Sequence, residues 1–468
     1  MPRTIQIDPI TRIEGHARVE VDIDDNNEVT STVFKVMDFR GWETFLRGTR
    51  VEMMPSITPR ICGTCSVSHH LASAKAVDSV FGVTPPRPAV LLRYALNLAG
   101  YLHSHSVHIF ALAGPDLLLG IDADPAKRNI MGLIEANPTV AKKALELRAI
   151  STRIIEAIGG RGIHPVSAVA GGMAASLPRE KRDQLKRQAE KGLALCTELF
   201  HALKDPLMGN VEFVESLPLS THYLGLVNDG MLDFYQGALC LTAPDGEKFT
   251  FSEADWTDHL VEETTPASYA KFVLCRKDGN DTGVPYRVGP LARVNCCDGI
   301  DTPFADAELQ EFRKMAGFPA HQTVFYHITR LIELLHAAEK LVELLDDNDI
   351  CGTDVRTLPD RAPGQGTGIL EAPRGVLIHD YQVNEGGIVE DLNLIVATQQ
   401  NIPGINATVD LSVRNYLEKP DEVLLNSIEF GIRCYDPCLS CATHRLGEMK
   451  LEVVVRHGEE IVRTAKRV

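Results

Sequence analysis

No run of about 18 apolar residues, the length that crosses a bilayer, occurs in this 468-residue chain. Its opening stretch, MPRTIQIDPITRIEG, has no apolar core of the signal-peptide kind, so no export signal is expected. Basic character is missing as well. Sixty-three acidic residues against 47 basic ones leave a formal net charge of −16, which argues against nucleic acid and anionic membrane as main partners. Phosphate-binding fingerprints are absent too. The glycines of GGRGIHPVSAVAGG (159–172) lack the flanking strand and the spacing of a Rossmann or P-loop motif, so no nucleotide is expected in this chain. Eleven cysteines, an odd number without a disulfide-like rhythm, point to a reducing cytoplasm. No internal repeat or low-complexity tract is visible.

The hydrophobic fraction, 44%, is that of a globular protein large enough for an extensive core. Residues 4–38 alternate apolar and polar as strands do, with a turn at Asp-Asp-Asn-Asn (24–27). Helical patterns follow at 88–113, 139–158, 178–204, 305–316, 323–345 and near 419–434, several bounded by proline or glycine. Between 211 and 300 turn residues and short β-like runs prevail, which reads as a mixed α/β insertion within one large domain spanning 1–468. Residues 374–398 are strand-rich, with Asn384-Glu385-Gly386-Gly387 as a hairpin turn. The fold class is therefore α+β: a mostly helical core with N-terminal strands and a small mixed lobe. The segment 445–468 is distinct, with a strand-like core and six basic against four acidic residues.

Two short motifs, Cys62-Gly-Thr-Cys65 and Cys438-Leu-Ser-Cys441, stand near opposite ends of the chain, with His69 and His444 beside them. A CxxC turn aims two soft thiolates at one ion, and four thiolates define a site for a soft or borderline transition metal. Structural zinc, a four-thiolate iron–sulfur cluster and a catalytic metal centre all use such a set. Zinc staples small folds through closely spaced ligands, so the wide separation favours catalysis. The other seven cysteines read as buried small apolar residues, including Cys434, four positions before Cys438. His103, His105 and His108 crowd one helix and read as core or boundary residues rather than ligands. Glu14, in Arg12-Ile13-Glu14-Gly15-His16, is a candidate proton carrier, although taken alone it reads as a surface charge. Arg374, in a turn before a strand, can supply fixed positive charge to an anionic metal site, and Asp436 can accept a bond from it or from a nearby amide.

These stretches together resemble a known family. Arg60-Ile-Cys62-Gly-Thr-Cys65-Ser-Val-Ser-His69 and Asp436-Pro-Cys438-Leu-Ser-Cys441-Ala-Thr-His444 resemble the two signature motifs of nickel–iron hydrogenase large subunits. The RIEGH stretch at 12–16, EAPRG at 371–375 and the HP…GG segment at 164–172 recur in that family in the same order. The resemblance runs from about residue 5 to 468, and the style of the second motif is similar to the soluble, NAD(P)-linked bidirectional branch.

The resemblance implies a large-subunit fold and reversible heterolytic cleavage of H2. All four cysteines would bind nickel, with Cys62 and Cys438 terminal and Cys65 and Cys441 shared with an iron that carries CO and CN ligands. Glu14 would take a proton from a terminal cysteine, Cys438, and Arg374 and Asp436 would roof the metals. Glu43, the backbone carbonyl near Leu394 and His444 would hold a magnesium ion. Ser104 stands where many uptake-type members carry an aspartate, so one carboxylate near the open metal position is lost. The chain keeps no cysteine set for an electron relay. Iron–sulfur clusters and flavin would therefore lie in two partners, a small iron–sulfur subunit with an NAD(P)-reducing diaphorase module beyond it. A maturation protease would remove 445–468, a segment expected to pack as a strand near the second motif. Two other readings stay open: the same chemistry coupled to another carrier (a deazaflavin or a bifurcating complex), and a metal-free scaffold like that of respiratory complex I.

Overall fold

The computed structural model describes all residues except 1–2, 27, 39, 209–216, 266–267, 277–282, 361–363, 443–450, 458–459 and 468. It is α+β, with the expected N-terminal strands, Arg3–Ile7, Ala17–Ile23 and Val29–Val36, paired in an antiparallel meander. Ala17, Val19, Val21 and Ile23 are buried while the residues between them face outward, the period-two pattern of a half-buried strand. Asp24 makes the following turn, its Oδ1 accepting from the amides of Asn26 and Glu28.

Two helices form the centre. Ser66–Phe81, rich in alanine and serine, and Phe325–Asp346 are buried on almost every side, as core helices are. The first begins directly after the first cysteine motif. The strand Gln365–Ala372 lies along it, and Gly368 makes this possible: a Cβ there would collide with the Ala72 carbonyl oxygen. Gln365–Ala372, Gly375–Val383 and Val389–Ile395 form one antiparallel sheet. Arg374 sits in the two-residue turn between the first two strands, closed by the Ala372–Gly375 pair.

That sheet has two apolar faces. Leu370, Leu377 and Tyr381 join the main core, whereas Ile369, Val376 and Ile378 pack with Leu224, Leu226, Leu239 and Leu241. The latter four belong to strands His222–Asn228 and Ala238–Thr242 of the mixed segment, so this segment shares its core with the sheet.

Three local expectations need correction. A single helix over 88–113 is in fact Arg87–Val107, a π-helical turn at His108–Leu112, and a new helix Gly114–Leu119 with Pro115 in its first turn. The helix Ala397–Tyr416 was not expected, because Pro403 and Gly404 interrupt its pattern. It is held by tertiary contacts, among them the Phe34 amide on Asn406 Oδ1 (2.8 Å). Of the seven cysteines expected to be buried, Cys351 is only half-buried. The C-terminal segment forms a hairpin, Leu451–His457 with Glu460–Arg467, whose strands pair with each other. Residues 443–450 lie outside the described part, and so does the expected packing of this segment near the second motif. No described helix is long and apolar enough to cross a membrane.

Candidate metal centre

The backbone delivers each sulfur separately. Thr58–Ile61 ends in extended backbone at Cys62, and Cys65 is the N-cap of the helix Ser66–Phe81. At the other end of the chain, helix Asp421–Cys434 runs into Asp436, whose φ of 54° turns the chain sharply. Cys438 follows, and Cys441 lies in the short helix Leu439–Ala442. The Cys438 amide is fixed by Thr398 Oγ1 at 2.9 Å.

The four sulfurs meet. All lie within 4.8 Å of one another, with Cys65–Cys441 at 3.0 Å, Cys62–Cys438 at 3.2 Å and Cys438–Cys441 at 3.1 Å. Metal–thiolate bonds run to about 2.3 Å, so this spacing lets all four share one ion. Electrostatics agrees. Hydrogen bonds from Cys438 and the other thiols hold Cys62 well below the ordinary thiol range. Cys438 is pushed well above it by its bonds with Cys441, Cys62 and Cys65, and Cys441 by burial. Four thiolates crowded into this space repel one another, and a cation among them relieves that repulsion. The donor set fits a soft metal centre. A cavity of about 20 Å³ borders Cys65, Cys438 and Cys441, room for little more than one water-sized guest.

Glu14 lies against Cys438, correcting its reading as a surface charge. Glu14 and Cys438 form a parallel bridge, and the Leu439 amide donates to the Glu14 carbonyl at 3.0 Å. The Cys438 thiol donates to Glu14 Oε2 at 3.2 Å, the Ser440 amide reaches the same oxygen at 3.0 Å, and the Ser440 hydroxyl donates to Oε1. Gly15, at φ +87°, permits this approach: a Cβ there would stand 2.7 Å from Leu439 Cβ.

Arg374 is buried. Its Nε donates to the Asp436 carbonyl at 2.7 Å, Nη2 to Asp436 Oδ1 at 3.0 Å and Nη1 to Ser104 Oγ at 3.3 Å. Burial works against its charge, but Asp436 and then Cys438 hold the guanidinium firmly protonated. Burial pushes the Asp436 carboxyl up, and Arg374 opposes that. Asp436 Oδ2 is buried with no partner among the described residues.

Of the residues expected to hold magnesium, Glu43 and Leu394 are neighbours, in contact through the Leu394 amide. Glu43 is buried, and its Oε1 accepts the Leu394 amide at 3.1 Å; His444 lies outside the described residues. The remaining candidates have other partners. His105 Nε2 is 3.0 Å from Glu333 Oε2, His108 Nε2 is 2.8 Å from the Arg433 carbonyl, and His103 lies 3.5 Å from Thr152 Oγ1. Cys434 is a buried helix residue whose Sγ is 3.4 Å from His327 Nε2.

The sequence reading missed a chain of polar groups behind Cys441. His69 Nε2 is 3.3 Å from the Cys441 sulfur, its Nδ1 is 3.0 Å from His379 Nε2, His379 Nδ1 is 2.7 Å from Tyr381 OH, and Tyr381 donates to Ser73 Oγ. His379 and Tyr381, two apart in a strand, share a face; that spacing was the available signal.

Comparison with known proteins gives a consistent result. Residues 40–129 and 276–444 match the family described as nickel-dependent hydrogenase, and residues 4–39 match one described as HoxL-like. A relative from Methanococcus voltae, a chain of the F420-non-reducing hydrogenase vhc, is 40% identical over 98% of this chain and 99% of its own. The beta chain of the NAD-reducing hydrogenase HoxS of Cupriavidus necator is 39% identical over 97% of each. The structure superposes with a TM-score of 0.90 on a chain of an NAD+-reducing [NiFe]-hydrogenase in the H2-reduced state, at 38% identity, covering 94% of this chain and 99% of that one.

Proposed function

The chain is a large subunit of the nickel-dependent hydrogenase family, to which it belongs, and on that premise we propose how its residues divide the work. The observation that carries the proposal is the convergence of Cys62, Cys65, Cys438 and Cys441 within 4.8 Å, which a metal-free scaffold has no use for. Cys62, Cys65, Cys438 and Cys441 would hold nickel, and Cys65 and Cys441, both bordering the small cavity, would also hold an iron that carries CO and CN. Glu43, the Leu394 carbonyl and His444 would hold magnesium.

When bound, the centre supplies the Lewis acidity that lets H2, a very weak acid in water, give up its protons and electrons. The chain does the rest. The four sulfurs sit in a buried pocket with room for little more than one water-sized guest, and low polarity there strengthens every charge interaction. Arg374, protonated and anchored on Asp436 and Ser104, sets fixed positive charge beside the sulfurs. Glu14 Oε2, 3.2 Å from Cys438 Sγ, receives the proton from that sulfur, and Ser440 and the Leu439 amide hold Glu14 in reach. Substituting Glu14→Gln keeps the volume and removes the transferable proton. Turnover should fall by at least about 10² while nickel and iron remain bound. Full turnover in a metal-loaded variant would remove Glu14 from the proton route.

The four-cysteine group is the one cluster of three or more metal-ligand residues among the described residues. Electrons therefore leave through a partner, the small iron–sulfur subunit, to reach an NAD(P)-reducing diaphorase. Similarity to the NAD-reducing relative and structure supports this carrier. Relatives named F420-non-reducing are as similar, which favours a second reading with a different assembly downstream. A deazaflavin has less support, since the alpha chain of coenzyme F420 hydrogenase from Methanosarcina barkeri is 27% identical. Assaying the purified complex with H2 against NAD+, NADP+ and F420, and identifying its subunits, separates these cases. A cytoplasmic setting is part of the same proposal, supported by eleven cysteines of which none forms a disulfide. So is removal of 445–468 by a maturation protease, which the intact mass of active enzyme tests.

A further inference from the structure

We propose that Asp116, remote from Glu14 in sequence, is a positioning residue for proton transfer: its buried carboxylate grips Arg12 and so fixes the loop that carries Glu14. The inference rests on the proton role given to Glu14 above.

The loop Thr11–Gly15 is not at ease by itself. Arg12 has φ 55° and Gly15 has φ 87°. Left-handed backbone is strained at a residue with a Cβ, so outside contacts must hold Arg12 there. Two grips do so. Glu429 accepts the Thr11 amide at 2.8 Å and its hydroxyl at 3.0 Å. On the other side, Arg12 donates through Nη1 to the Leu112 carbonyl at 2.8 Å and through Nη2 to Asp116 Oδ1 at 2.5 Å. Arg433 links the two grips, donating to Asp116 Oδ2 at 2.7 Å, to Glu429 Oε2 at 3.2 Å and to the Thr11 carbonyl at 3.0 Å.

The π-helical turn explains why Leu112 is available. An uninterrupted α-helix would use the Leu112 carbonyl for the Asp116 amide. Here Ala113 N reaches back five residues to His108 O at 2.8 Å, and the Asp116 amide bonds to Ala113 O instead. The Leu112 carbonyl is thereby turned over to Arg12. π-turns of this kind recur at functional sites. The Asp116 side chain is fully buried, with Arg128 as a third cation at 3.5 Å. A strained turn, a displaced helical bond and a buried carboxylate among three arginines all converge on the segment that ends at Glu14 and pairs with Cys438.

Two variants test this in the assembled, nickel-loaded enzyme. Asp116→Asn removes the charge. Arg12→Gln removes only the loop's end of the contact and leaves Asp116 with Arg433 and Arg128, so it decides the matter if the first fails to fold. Displacement by about 1 Å costs on the order of 10²-fold, so H2–D2O exchange should slow by that factor in each, with nickel content unchanged. Combined with Glu14→Gln, neither should slow exchange further than Glu14→Gln alone, because they act through it. The infrared carboxyl band that vanishes in Glu14→Gln should shift in both. Ordinary exchange and an unshifted band in both variants, beside a slow Glu14→Gln, overturn this inference alone. Losses that multiply with Glu14→Gln overturn it as well. Ordinary exchange in Glu14→Gln overturns the Glu14 reading and this one with it.

Discussion

Cys434 and Cys438 are one helical turn apart in sequence, both buried, and chemically unlike. Burial pushes the Cys434 thiol far up, and its sulfur faces His327; Cys438 meets other sulfurs and Glu14. Cys434→Ser should therefore keep full nickel content and cost about 1 kcal/mol of stability, whereas Cys438→Ser should lose nickel; metal analysis of both proteins checks this. At this scale the sequence was legible where chemistry is carried by rare residue types in fixed spacing. The two CxxC motifs needed no fold to be seen, and family resemblance brought Glu14, Arg374 and Asp436. Ser440, Thr398, His379 and Tyr381 were not legible. They are common residues that matter through where the backbone leads them; the spacing of His379 and Tyr381 puts them on one strand face, but does not say that this face meets His69 behind the Cys441 sulfur.

Among the helices, Ser66–Phe81 shows how one element is tied into the site's surroundings. His70 Nδ1 is 2.6 Å from the Pro55 carbonyl, and its Nε2 accepts the Ala168 amide at 2.9 Å. Accepting at Nε2 requires a neutral ring, and burial lowers the His70 pKa from 6.5 to about 4. The sign follows. Above pH 6.5 the ring is neutral in both folded and unfolded chains and contributes no pH dependence. Between 6.5 and about 4 the unfolded chain takes up a proton that the native one refuses, so stability falls as pH falls, then levels off below about 4. The full effect is roughly 3 kcal/mol. His103, His105 and His336 are lowered in the same sense, so the test is a difference: urea unfolding of the His70→Gln protein should depend less steeply on pH across this window than that of the parent.

Most helices and the N-terminal meander could be read from periodicity, because their apolar faces meet the core in the ordinary way. The helix Ala397–Tyr416 could not. Its proline forfeits a backbone bond and costs about 3 kcal/mol, which only packing against the strands and the neighbouring helix offsets, and a local pattern carries no record of packing. The π-turn at His108–Leu112 was invisible for a similar reason: its largely apolar residues continue the pattern of the helix before it, and the extra residue in the turn answers to Arg12, far away in sequence.

For the whole molecule, the metal centre is a junction. Cys62 and Cys65 come from near the start of the chain and Cys438 and Cys441 from near its end, so an ion held by all four ties the N-terminal segment, the central helix and the C-terminal segment into one unit. Ligand that binds only the folded form adds to its stability. Protein stripped of nickel should unfold at a lower urea midpoint than loaded protein, by about 4 kcal/mol for an ion present at a thousand times its Kd. Equal midpoints would mean that the fold is indifferent to the ion.

Residues 14 and 438 lie side by side in an isolated parallel bridge. A ribosome making this chain releases the first of them long before it translates the second. The four-sulfur site is thus incomplete by topology until the second motif has been made, and for that interval the two early sulfurs stand without their counterparts, open to oxidation and to capture by stray metal.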